Sequence, residues 1–327
     1  MALITKHDTD GNKGLLAKGE LGLDDTGLDA GRVYVGDGTN NVPMAKKSET
    51  DTLTIDLGIL SDTVETNFTI LDNKIDAVVE WASGDKIITV ADSGADFTTV
   101  MGAIAEAMKW RSIDGSVIVE IQSGYLVREQ LIFTDNDYSH INIKAQNGAT
   151  IIVDHNSMSV INFEGSQQSG FIVCARGKSP MFQTQFEFLT RPTNTISGVL
   201  AIFNGTVCFG NNSGVKNAGN YGAFGSHGGS VTMGDNNNFS NAGRDGAYGY
   251  KVGSVTMGDS NDFSNAGGNG ALGHQGGSVT MGNHNDFSNA GGNGAYGSRG
   301  GSITMGDSND FSNAGSNGAL GHQGCIS

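Results

Sequence analysis

Five dipeptides spaced 24 residues apart carry the side chains best suited to recognising a polar ligand: Ser226-His227, Tyr250-Lys251, His274-Gln275, Ser298-Arg299 and His322-Gln323. Together they offer phenol, imidazole, amide, ammonium and guanidinium groups, which exchange hydrogen bonds and stack on flat surfaces. A second series at the same spacing also varies: Asn220-Tyr221, Arg244-Asp245, Gly268-Asn269, Gly292-Asn293 and Ser316-Asn317. The residues between the two series hardly change. Positions that vary inside a fixed repeat have the character of solvent-facing loops, where recognition usually resides. Drift on an inert surface would leave the same pattern. The candidate ligand-contacting residues are therefore His227, Arg244, Tyr250, Lys251, His274, Gln275, Arg299, His322 and Gln323.

Other chemistries find weaker support. Asp235, Asp259 and Asp307 fall in one column of the repeat, with Asn283 interrupting, and Asp262, Asp286 and Asp310 fall in another. Stacked at roughly 4.8 Å such carboxylates would repel, and Ca²⁺ could relieve them. Turn-forming Asp in water explains the columns more simply, and no other cofactor is expected. Glycoside hydrolysis needs two carboxylates about 5–10 Å apart. Asp154, Glu164 and Glu187 are the candidates in strand-rich sequence, but no spacing pairs them. Neither a nucleophile triad nor a metal-ligand spacing stands out, so no catalytic residue is assigned and the chain is expected not to be an enzyme. Cys174, Cys208 and Cys325 are widely spaced and odd in number, as free thiols from a reducing compartment would be. The net charge of −15 disfavours nucleic acid and anionic lipid as partners. No apolar run is long enough to span a bilayer as a helix, and Met1 to His7 is too short and polar for a secretion signal.

The element that must position these residues is a repeat. Val207, Val231, Val255, Val279 and Ile303 lie 24 residues apart, within a unit such as GSVTMGDSNDFSNAGGNGALGHQG. Further columns are Phe209 with Met233, Met257, Met281 and Met305; Phe239, Phe263, Phe287 and Phe311; and Phe224, Tyr248, Leu272, Tyr296 and Leu320. Asn217, Asn241, Asn265, Asn289 and Asn313 form one more. In Ser-Val-Thr-Met the apolar residues alternate with period two, so the segment reads as a strand. Gly and Asn supply corners where positive φ is needed. The unit is read as one coil of a parallel β-solenoid with three short strands. A lone coil buries about four large apolar side chains at roughly 1.5–3 kcal/mol each. Ordering its residues costs about 1–2 kcal/mol apiece, so only stacking makes it stable. Alternatives are a trimeric left-handed roll of shorter period and packed polyglycine-II helices.

Upstream, residues 84–206 read as the entry to this solenoid. Strands are expected at Lys86–Val90, Ser116–Gln122, Gln130–Phe133, His140–Ala145 and Thr150–Val153. An amphipathic helix over Phe97–Trp110, N-capped by Asp96, would bury Val100, Ile104, Ala107 and Met108 and cover the first coil. The runs VADSGADFTTVMGAIAEAM, VIVEIQSGYLVREQLIF and INIKAQNGATIIV resemble the opening coils of pectin-lyase-like β-helices, a group that includes phage tailspikes and pectin methylesterases. The esterase motifs QAxAL and DFIFG are absent, so the resemblance implies a fold and no activity.

Residues 19–45, GELGLDDTGLDAGRVYVGDGTNNVPMA, resemble the anchor of phage tail fibres and tropism determinants. The resemblance implies a small β module, here residues 1–50, that docks on a tail, baseplate or collar protein. Glu20, Leu21, Arg32, Tyr34, Gly36, Asp37 and Gly38 are the matching positions. Arg32 to Val35 reads independently as a strand, and Gly36-Asp37-Gly38 as a tight turn rather than a phosphate loop. Residues 51–83 carry a heptad with Leu57, Val64, Leu71 and Val78 in one place and Leu60, Asn67, Lys74 and Trp81 in the other. It reads as a coiled-coil stalk, or else as a helix packed on a neighbouring domain. Leu57, Leu60, Val64, Asn67, Leu71 and Val78 are the candidate trimerisation residues, the trimer being implied by the resemblance. The whole is expected to be an elongated homotrimer, mostly β, with five coils over residues 207–327. The implied role is adhesion of a virion fibre to a bacterial surface glycan or outer-membrane receptor, the subunit being assembled in the host cytoplasm. A polysaccharide-cutting tailspike and a passive spacer carrying a separate tip remain as alternatives. The spacer draws on the sequence reaching Gly324-Cys325-Ile326-Ser327 as a sixth coil begins.

Overall fold

The computed structural model describes residues 21–24, 32–36, 41–43, 80–158, 161–163, 166–192 and 196–327. Two compact units divide the chain, residues 1–77 and 78–327. In the first, Leu21–Asp24, Arg32–Gly36 and Asn41–Pro43 form an antiparallel sheet, with Leu21 opposite Val35 and Tyr34 opposite Pro43. Leu21, Arg32, Tyr34 and Gly36 therefore lie on strands, while Glu20, Asp37 and Gly38 fall outside the described residues. Leu57, Leu60, Val64, Asn67, Leu71 and Val78 do too. Trp81, the last heptad position, lies in strand Glu80–Ala82, which pairs in parallel with Trp110–Ser112. The heptad thus does not run as helix to its expected end.

The second unit is a parallel β-solenoid of about eight turns. One face is a ten-stranded sheet from Lys86–Val90 through Val117–Ile121, Ile141–Ala145, Lys178–Gln183 and Thr206–Phe209 to the repeats. There Ser230–Met233, Ser254–Met257, Ser278–Met281 and Ser302–Met305 stack in register, Val231 on Val255 on Val279 on Ile303. A second face has eight strands, ending in Ala223–Ser226, Ala247–Tyr250, Ala271–His274, Ala295–Ser298 and Ala319–His322. The 24-residue register predicted from the valines holds on both faces.

The third side differs from expectation. It begins as a four-stranded sheet of Leu126–Val127, Ile151–Val153, Gln185–Phe188 and Gly214–Lys216. In the repeats it narrows to single bridges, Asn238 to Asp262 to Asp286 to Asp310. Side chains replace the missing strand. Asp262 Oδ1 accepts the Ser264 N–H at 2.9 Å, and Asp286 does the same for Ser288 at 2.8 Å, closing a tight turn in each coil. Beside it, buried Asn261 donates its backbone N–H to Asn285 Oδ1 at 2.8 Å and its Nδ2 to the same oxygen at 3.0 Å. This amide ladder satisfies groups that would otherwise be buried without partners.

Inside the repeats, Phe239, Phe263 and Phe287 are fully buried, each ring 5.2 Å from the next and within 7° of parallel. The one α-helix among the described residues, Val100–Ala107, closes the start of the core with Val100, Ala103, Ile104 and Ala107. It is shorter than Phe97–Trp110, and its N-cap is Thr99, whose Oγ1 accepts from Gly102 at 3.2 Å. Asp96 instead accepts the backbone N–H and the hydroxyl of Thr89, both at 2.8 Å. Glu129 takes the helix N-terminal N–H of Val100 at 2.6 Å, which relieves Asp96 of that role.

Burial by neighbouring rungs makes the cost of truncation depend on position. Phe263→Ala in the middle of the column should destabilise the chain by about 3–5 kcal/mol. Phe311→Ala, where the ring is only half-buried, should cost clearly less. Denaturant unfolding of the two variants checks the difference.

Candidate functional site

The eight-stranded face is apolar on both sides. Ala223, Ala247, Ala271 and Ala295 point into the core. Their neighbours Phe224, Tyr248 and Leu272 belong to a separate apolar cluster on the outward side, with Val173, Ala175, Leu200, Ile202 and Tyr221. The next residue inward is always Gly. A Cβ on Gly249 would collide with the carbonyl oxygen of Ser278, and one on Gly273 with that of Ser302. Glycine thus lets the two faces close to a narrow edge, and the corner residues that follow are thrown outward.

Those corner residues occupy left-handed backbone at every turn: His227 (φ 49°), Lys251 (45°), Gln275 (50°), Arg299 (48°) and Gln323 (52°). The sequence predicted Gly or Asn at positive φ, but here long functional side chains hold it. The following position is Gly228, Gly276, Gly300 or Gly324, except for Val252 at φ 64°, which is 76% exposed. A β-branched residue there is strained and gains little burial in return.

The side chains meet in a shallow cleft of about 470 Å³. Phe224 and Tyr248 form its floor, their rings 4.9 Å apart and 8° from parallel. Asn220, Tyr221, Tyr250, His274, Gln275 and Arg299 complete its lining. Tyr221 lies 5.0 Å from the Tyr248 ring, and Tyr250 stacks on His274 at 5.8 Å. Burial pushes the Tyr221 phenol up to about 12 and that of Tyr248 higher still, so both stay neutral donors. Burial also lowers the imidazoles of His227 and His274, helped by Lys251 beside the first and Arg299 beside the second.

Of the nine candidates, Tyr250, His274, Gln275 and Arg299 line the cleft. Three more stand at its border. Arg244 lies 5.2 Å over the Tyr221 ring, and Lys251 lies 5.2 Å from that of Tyr250. His227 bonds to Ser226 Oγ at 2.7 Å and packs against Tyr250 at 6.0 Å. His322 and Gln323 are exposed on the last turn, outside the cleft. Tyr221, Phe224 and Tyr248 were not among the candidates. Tyr221 belongs to the second variable series, which was the available signal. Phe224 and Tyr248 resembled core residues because an outward aromatic column has the same spacing as an inward one.

The second series is not wholly solvent-facing. Its first residues are exposed (Arg244, Ser316) or half-buried (Asn220, Gly268, Gly292), but Asp245 is only 2% exposed, and Asn269 donates its N–H and Nδ2 to Asp245 Oδ1 at 2.7 and 2.8 Å. Asn293 and Asn317 continue that ladder. The Asp columns also serve rung-to-rung bonding: Asp235 Oδ1 accepts from Asp259 N at 2.8 Å, and Asp259 Oδ1 from Asn283 N at 2.6 Å. Among the described residues, no group of three or more His, Cys, Asp or Glu is placed to hold a metal ion. Asp154 caps the turn at Asn156, and Glu187 pairs with Lys216 at 3.5 Å; Glu164 lies outside the described residues. Cys174, Cys208 and Cys325 are free thiols, and burial pushes that of Cys174 up to about 11.

No family model and no curated protein matches this chain. A solved structure, ORF18 of Geobacillus virus E2, aligns over 95% of this chain and 71% of its own length. Its identity is 12% and the TM-score 0.23, a similarity that establishes neither a shared fold nor a shared role.

Two outcomes follow. Val252→Gly should stabilise the chain by about 1 kcal/mol by releasing backbone strain, read from thermal or denaturant unfolding. By NMR, His227 and His274 should titrate below the ordinary value of about 6.5, and Arg299→Gln should move His274 upward. Because the unfolded chain binds these protons more readily, both histidines subtract stability as pH falls through that range.

Proposed function

We propose that this chain is a bacteriophage fibre or spike subunit that adheres to the bacterial surface through the outward side of its eight-stranded face. The observation that carries the reading is the cleft in which residues of both variable series meet. Tyr221 comes from one series, and Tyr250, His274, Gln275 and Arg299 from the other. Everything around them repeats as scaffold. A rigid support that varies on one face suits recognition, since side chains pre-set by packing lose little entropy on binding.

The phage assignment draws on the resemblance of residues 19–45 to fibre anchors and on the solenoid architecture. In this reading residues 1–50 dock on tail, baseplate or collar proteins, the heptad between residue 51 and strand Glu80–Ala82 joins three copies, and the solenoid carries the host-contacting cleft. Adhesion is favoured over cleavage. Asp245, close to Tyr221 and Tyr248, is buried with its Oδ1 held by Asn269, and no carboxylate is among the residues that line the cleft.

An antibody raised against the purified chain should decorate a projecting fibre on particles released by lysis of the producing cells. The purified full chain should also compete with those particles for adsorption to bacteria. Undecorated particles and undiminished adsorption would reject the proposal.

A further inference from the structure

The charge around the cleft runs against that of the chain. The protein carries 34 Asp and Glu against 19 Lys and Arg. Between residues 207 and 327 there are four Lys or Arg, namely Lys216, Arg244, Lys251 and Arg299. Lys216 is paired with Glu187 on the third side, at 3.5 Å. The other three gather at the cleft, Arg299 in its lining and Arg244 and Lys251 beside Tyr221 and Tyr250. Arg244 lies 3.8 Å from buried Asp245. Lys251 and Arg299 have no ion-pair partner among the described residues. Of the seven acids of the repeats, Asp245 is buried beside Arg244, and Asp235, Asp259, Asp262, Asp286, Asp307 and Asp310 lie outside the cleft lining. The cleft is therefore a local cationic patch on an acidic solenoid.

We propose that the cleft binds a carboxylate-bearing polysaccharide. This rests on the adhesion reading and names the class of ligand. The aromatic floor, Phe224 and Tyr248, offers a flat apolar surface on which the C–H face of a pyranose ring packs, which a chain of phosphodiesters without sugar rings would not use. Arg299 can bind a carboxylate through two parallel N–H groups, and Lys251 adds a point charge. His274 and Gln275 face sugar hydroxyls as donors and acceptors. The lining advances by rungs, from Tyr221 and Phe224 through Tyr248 and His274 to Arg299, about 14 Å along the axis at roughly 4.8 Å per rung. That length calls for an oligosaccharide rather than a single sugar.

The test uses the full chain and four probes: hyaluronan and polysialic acid oligosaccharides, and the same oligosaccharides after chemical reduction of their carboxylates to alcohols. At least one acidic probe should bind, and its reduced form at least ten-fold more weakly. The double variant K251Q/R299Q, altered only at surface cations, should lose at least ten-fold in affinity, and Tyr250→Ala should also weaken binding. The inference is overturned if neither acidic probe binds, if the reduced forms bind equally, if K251Q/R299Q binds as the parent does, or if polyphosphate competes as well as the acidic sugar. Adsorption of the same variants to bacteria separates the two proposals. Cell binding unchanged in K251Q/R299Q sinks the acidic-ligand inference alone, whereas a parent chain that binds no cells sinks the adhesion reading.

Discussion

Rung-on-rung hydrogen bonding is the constraint from which the rest of this fold follows. Each repeat coil is too small to hold a core alone, so its residues are buried by the coil above and the coil below. The final turn makes the point within one molecule. Ala295, with a described rung on either side, is fully buried, while its counterpart Ala319 on the last described turn is exposed. Phe287 is fully buried while Phe311 is not. The residues are of the same type in the same place, and the neighbouring rung is what differs.

Stacking also explains the polar composition. A coil of 24 residues must turn sharply, and each turn leaves backbone groups without a strand partner. Asn261, Asn285 and their equivalents fill that gap by passing backbone and side-chain hydrogen bonds to the next rung. A polar residue can therefore be as fixed in the repeat as Val or Phe. In the first variable series the hydrogen bond of His227 goes to its own neighbour Ser226 rather than to another rung, and the narrow glycine-lined edge throws several side chains of that series onto one surface. The scaffold's regularity and the cleft's individuality thus arise from the same packing.

Much of this was legible in the sequence. The valine and methionine columns alternate with polar residues, and only a strand with one buried face satisfies that pattern. Their 24-residue interval then dictates the register. The corner carrying Tyr250, His274, Gln275 and Arg299 was visible because it changes while its flanks do not. The floor of the cleft was not visible, since Phe224 and Tyr248 keep the spacing of a core column whichever side they face. Nor was the role of Asp245 and Asn269, where two residue types share one hydrogen-bonding function and look like free variation. The third strand of the repeat was expected from reading each unit as three strands joined by Gly and Asn corners, and it is only a bridge where Asp and Ser side chain–backbone bonds close a tight turn.

The central claim is that equivalent residues of successive coils lie one strand spacing apart along a single axis. Pulsed dipolar spectroscopy measures this directly. One spin label is placed at outward-facing Asn142 and a second in turn at Thr232, Thr256, Thr280 and Thr304, in chains whose cysteines are replaced and which are diluted with unlabelled chain. The mean distance should grow by equal steps of about 4.8 Å for each coil added. Distances that fail to increase from Thr232 to Thr304, or that rise by unequal steps far from this value, would contradict the stacked solenoid.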